Sequence, residues 1–126
     1  MSDTRLAVIG SRSFSNYQLL SDTLYQRYTE TDSLGACRWR IIEIISGAAH
    51  GADSLAAQFA REHGIALREL PADWEKHGKR AGFLRNQDII EACDEVCAFW
   101  DGMSKGTGHS LSIAKRLRKT SLVIYV

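Results

Sequence analysis

The sequence predicts an α/β fold: a Rossmann-like parallel sheet of about five strands with helices on both faces. Two observations carry this. Short apolar runs of the kind buried on both faces of a sheet alternate with stretches of helical periodicity. Polar and glycine-bearing turns gather where those runs end.

Leu6 to Ile9 is the first run, and it stops at Gly10. Ser15 and Gln18 have the spacing of a capping box that opens a helix. Tyr17, Leu20, Leu24 and Tyr28 share one face of that helix. From Thr31 to Gly35 the periodicity lapses, which predicts a loop. The second run, Ile41 to Ile45, is interrupted by Glu43 and ends at Ser46-Gly47. Ala52, Leu55, Phe59 and His63 trace the next helix, with Gly64 as its stop. Ile65 to Leu70 is a third strand; Pro71 ends it, and a polar loop bearing Gly78 and Gly82 follows. Phe83, Ile90 and Cys93 mark a third helix, and Glu95 to Trp100 a fourth strand. Thr107 to Arg118 is a fourth helix and Leu122 to Val126 the closing strand. Right-handed crossovers leave few topologies for this order. No repeat or low-complexity tract divides residues 1–126, so one domain is expected.

A chain of 126 residues can bury a core without disulfides or a metal. A net charge of +1 supplies no broad field for duplex DNA or an anionic membrane, which argues against nucleic acid as the partner. The N-terminus, MSDTRLAVIG, has no apolar leader, and no stretch approaches the roughly 18 apolar residues of a membrane span. The expected setting is therefore a reducing cytoplasm. Cys37, Cys93 and Cys97 are odd in number and suggest no disulfide framework; they read as small apolar residues or surface thiols. No second thiol pair completes a zinc site, and His50, His63, His77 and His109 show no metal-ligand spacing. Neither a metal nor a cofactor is expected.

Ligands of open parallel sheets bind beyond the carboxyl ends of the strands. After the first strand come Gly10, Ser11 and Arg12: a tight turn, a hydroxyl, and a guanidinium that either clamps an anion or is simply solvated. After the second come Ser46, Gly47, Gly51 and Asp53, a glycine-bearing turn whose amides can face an anion at a helix start. It matches neither the GxGxxG fingerprint nor a Walker loop. Asp53 is either a helix-terminal charge or an acceptor for ribose hydroxyls. After the third strand, Asp73 and Trp74 precede a helix carrying Arg85 and Asn86; Trp74 stacks on a base or covers a core edge. The fourth strand runs into Asp101 to His109, where Ser104, Lys105, Gly106 and Thr107 bring hydroxyls, a cation and free amides to a helix start. That is phosphate-binding chemistry. His109 in the same segment is placed for proton transfer. Asp53, Arg85 and His109 are the catalytic candidates.

GSRSF (10–14), SGAAHGADSLA (46–56), PADW (71–74), GKRAGFLRN (78–86) and FWDGMSKGTGHS (99–110) resemble the YspA/YpsA-like branch of the SLOG superfamily. The motifs occur in family order across nearly the whole chain. The resemblance implies a Rossmannoid domain that binds a nucleotide or nucleotide-derived ligand. It also relates the chain to the cytokinin-activating phosphoribohydrolases and to the DNA-binding domain of DprA. The phosphoribohydrolases carry PGGxGTxxE, whose glutamate assists cleavage of an N-glycosidic bond. Here Gly106 and Thr107 match the GT, Arg85 matches the arginine of the preceding helix, and Ser110 stands in place of the glutamate. Serine is no general base at neutral pH, so Asp53, Asp73 or Asp101 would have to substitute. The expected function is capture of a phosphorylated nucleotide derivative, as sensor or processing protein. Cleavage of a nucleoside 5′-monophosphate is the alternative and single-stranded DNA binding a third reading. Whether a reaction is catalysed stays open. The superfamily also raises the expectation of a homo-oligomer.

Overall fold

The computed structural model describes residues 3–126. Its order is β1 (Thr4–Gly10), α1 (Tyr17–Tyr28), β2 (Thr29–Thr31), β3 (Cys37–Trp39), β4 (Ile41–Ser46), α2 (Ala52–His63) and β5 (Ala66–Glu69). Then follow α3 (Trp74–His77), a 3₁₀ turn (Gly78–Arg80), α4 (Ala81–Ala92), β6 (Glu95–Trp100), α5 (Lys105–Arg116) and β7 (Thr120–Tyr125).

Successive side chains of a strand point to opposite faces, and this sorts the core into two layers. Leu6, Val8, Ile44, Cys97 and Phe99 pack with Leu20 and Leu24 of α1 and Phe59 of α2. Ala7, Ile9, Ile45, Val96 and Ala98 pack with Ile89 and Ile90 of α4 and Ile113 of α5. The five-stranded sheet is parallel throughout, in the order β5-β4-β1-β6-β7. The expected Rossmann-like sheet with helices on both faces is what forms. The strand order reverses between β1 and β6, and Gly10 pairs with Phe99 there. The turns after these two strands therefore leave the sheet at the same level, beside the crevice where such folds take ligands.

Three local expectations are corrected. The cap of α1 is Asn16, whose Oδ1 accepts from the Leu19 amide at 3.0 Å, and Gln18 bonds Asp22 instead of closing a box with Ser15. The expected loop is residues 32–36, and Thr31 belongs to β2, which pairs with β3 as an antiparallel hairpin. Asp32 Oδ1 holds that turn by accepting from the Leu34 and Ala36 amides, both at 2.9 Å. These strands are too short and polar to show periodicity. Thirdly, the polar stretch after Pro71 folds into α3, where Asp73 Oδ1 accepts from the Lys76 amide at 3.1 Å. Cys93 and Cys97 are buried and Cys37 is exposed. Among the described residues no helix is long and apolar enough to cross a membrane.

Candidate ligand-binding site

Three turns are pinned together above the sheet, and small residues permit it. A Cβ on Gly10 would run into the Phe99 carbonyl oxygen and stand 2.8 Å from the Ala52 Cβ. A Cβ on Gly51 would strike the carbonyl oxygens of Ser11 and Arg12, and its φ of +74° favours glycine in any case. Ser11 is buried at the junction. Its amide donates to the Phe99 carbonyl at 3.0 Å, and its Oγ accepts from the Asp101 amide at 3.2 Å and lies 3.1 Å from the Ser104 Oγ. Ser11 and Gly51 thus join the turns after β1, β4 and β6 and do not line the cavity described next.

The joined turns, with α4, enclose a cavity of about 510 Å³. That is within the ordinary range for small-molecule sites. Of the candidates from sequence, Gly10, Arg12, Asp53, Trp74, Arg85, Asn86, Ser104, Lys105, Gly106 and Thr107 line it. Ser11, Ser46, Gly47, Gly51, Asp73 and His109 do not line it, and Gly47 lines a smaller cavity instead. Phe83, Ala49, Gly82 and Ser110 line it too. Phe83 reads as a core position from helical spacing, yet it is half exposed and meets His109 edge-on, with ring centroids 4.6 Å apart.

The N-terminus of α5 is open. Its first main-chain bond is from the Gly108 amide to the Ser104 carbonyl, and no side chain caps it. The amides of residues 105–107 therefore have no helical acceptor. No acidic residue occupies its first turn. The Lys105 ammonium makes no hydrogen bond or ion pair among the described residues. The preceding turn is rigid. Asp101 Oδ1 accepts from the Met103 and Ser104 amides at 2.8 and 2.7 Å, bonds that hold its carboxyl below the usual range. Asp101 is committed to that turn, as Asp73 is to α3.

The first turn of α2 differs in carrying an acidic residue, Asp53, whose carboxylate binds the turn before the helix. Asp53 is buried, and Oδ2 accepts from the Ala49 amide at 3.1 Å. Burial pushes its carboxyl upward, opposed by that bond and by the Arg85 charge. Arg85 Nη1 donates to the Gly47 carbonyl at 2.6 Å and Nε to Asn86 Oδ1 at 3.1 Å. Burial pulls the guanidinium down; Asp53 resists this, and the Arg12 charge adds to it. Asn86 Nδ2 reaches the Gly106 carbonyl and His109 Nδ1, both at 3.4 Å, and so ties α4 to the start of α5. Among the described residues no group of three His, Cys, Asp or Glu side chains is gathered to hold a metal.

Comparison with known proteins agrees with this architecture. The profile of the YspA, cpYpsA-related SLOG family (YAcAr) matches residues 4–77. Gene 61 protein of Mycobacterium phage D29 is 36% identical over 118 residues, covering 89% of each chain. DNA processing protein A of Helicobacter pylori, which binds single-stranded DNA, has a similar solved structure, with a TM-score of 0.61 at 20% identity. The match covers 97% of this chain and 65% of that one, so the chain spans less than two thirds of its length. By profile and by identity to the phage protein, this chain belongs to the YspA, cpYpsA-related SLOG family.

Proposed function

We propose that this protein binds a nucleotide or nucleotide-derived phosphorylated ligand in the cavity between α4 and α5, in the cytoplasm. One observation carries the reading: the α5 N-terminus, with no side-chain cap bond and no acidic residue in its first turn, opens beside Lys105 into a cavity whose lining also includes Arg12 and Arg85. Free amides at the positive end of a helix attract a phosphate, and neighbouring cations reinforce the field. Trp74 and Phe83, each half exposed on the cavity wall, offer apolar faces for a base. Asp53 and Asn86 are the acceptor and donor within reach of a sugar. The exposed free thiol of Cys37 fits a reducing compartment. Isothermal titration against mono- and dinucleotides, ADP-ribose and cyclic nucleotides is the test. Micromolar binding to at least one member is expected, and no heat with any of them sinks the proposal.

Asp53 favours a second reading, cleavage of a nucleoside 5′-monophosphate to base and ribose 5-phosphate. It is the carboxylate of the cavity wall that burial raises, and the wall has Ser110 where related hydrolases carry glutamate. It would stabilise positive charge developing at the sugar and orient the attacking water. Chromatography of nucleoside monophosphates incubated with the protein should show free base, lost in Asp53→Ala; intact nucleotides throughout exclude this. The likeness to a single-stranded DNA-binding protein also readmits nucleic acid, which net charge alone argues against. An electrophoretic shift at low salt decides that point.

A further inference from the structure

Beside the cavity lies a second one of about 320 Å³, over the turn after β4. Arg12, Ala49, Trp74 and Arg85 line both, so they form a neck between two lobes. Beyond the neck the smaller lobe is walled by His50, Pro71 and Ala72. Two of its main-chain amides are engaged, Ala49 with Asp53 and Ala48 with the Ser46 hydroxyl at 3.5 Å. The turn that forms it is held in place: Ala48 sits at φ +59°, which costs a non-glycine residue about 1 kcal/mol.

The neck carries surplus positive charge. The Arg12 guanidinium makes no hydrogen bond or ion pair among the described residues, yet its charge is felt at Arg85. Facing the two arginines is Asp53, whose ionised form burial disfavours. Two cations, the exposed Arg12 and the partly buried Arg85, against one reluctant carboxylate favour an anion here. Trp74 lines both lobes, whereas Phe83, Lys105 and Gly106 line only the larger.

On the reading above that the larger lobe takes a nucleotide, we infer that the full ligand is a 5′-phosphorylated dinucleotide unit. Its terminal phosphate sits at the start of α5, its internal phosphate lies between Arg12 and Arg85, and its second nucleoside occupies the smaller lobe against His50, Pro71 and Ala72. The unit is either a free dinucleotide or the 5′ end of a single strand. A mononucleotide fills the larger lobe only and leaves the neck unmatched.

Titration of the purified protein with AMP, pApA and a 5′-phosphorylated octaadenylate tests this. The dinucleotide should bind about tenfold tighter than AMP, or better. Ala72→Trp and His50→Trp, each filling the smaller lobe, should abolish that gain while AMP binding and the melting temperature stay put. Octaadenylate binding as tightly as pApA identifies a strand end, and weaker binding identifies a free dinucleotide. If AMP binds and pApA is no tighter, or if both filled variants keep the gain, the inference is overturned and nucleotide binding stands. Silence from AMP and pApA alike overturns the inference, and the wider nucleotide panel then decides the proposed function.

Discussion

Replacing Arg85 by methionine keeps the aliphatic stem and removes the guanidinium, and the structure sets the size of the loss. Two bonds go: Nη1 to the Gly47 carbonyl at 2.6 Å and Nε to Asn86 Oδ1 at 3.1 Å. A hydrogen bond from a charged donor contributes about 1.5–3 kcal/mol, but water entering the open cavity re-solvates the acceptors, so about 1–2 kcal/mol is the net cost. Asp53 adds to this, because its buried carboxylate loses a facing cation. A total near 2–3 kcal/mol at neutral pH corresponds to a fall in Tm of roughly 6–12 °C for a chain of this size. The pH dependence follows from the sign of the coupling. Arg85 lowers the Asp53 pKa, so its removal raises that pKa further above the unfolded value. The extra penalty is then full where Asp53 is ionised and shrinks as pH falls through its titration. Urea denaturation near pH 7 and near pH 4 measures both. An equal loss at the two pH values, or none at pH 7, refutes the coupling of Arg85 to Asp53.

Asp53→Asn should stabilise the protein at neutral pH. The folded pKa lies above the unfolded one, so the stability that protonation confers is present at low pH and lost as pH rises through the folded value. The advantage of the asparagine variant in melting temperature should therefore disappear on acidification. Lys105→Ala should leave stability within about 0.5 kcal/mol, since the ammonium has no partner among the described residues. The same change should weaken nucleotide binding roughly tenfold, and more at low salt than at high, as read by titration. Gly51→Ala should cost about 2 kcal/mol or more in urea denaturation, from its left-handed backbone and its collision with the Ser11 and Arg12 carbonyls.

Legibility in the sequence followed the range of the interaction concerned. Lys105 and Gly106 stand at a helix start after a strand, a local arrangement, and they line the cavity as their positions imply. Ser11 and Gly51 carry the same kind of local signal but serve as ties between turns. Whether a hydroxyl meets a ligand or the Asp101 amide depends on a residue ninety positions away. Phe83 shows the converse, an apolar residue on a helix that faces the cavity rather than the core.

By itself the sequence determined the alternation of strands and helices, the parallel sheet and the family. Burial patterns of two and 3.6 residues are written within each element, and the motifs are contiguous. Only the tertiary structure decided that the start of α5 stays uncapped while Asp53 binds the turn before α2, and that Arg12 and Arg85 meet at a neck between two lobes. Hydrogen-bond partners, desolvation and the closeness of like charges are set by residues far apart in the chain, which come together only when the turns after β1, β4 and β6 are joined.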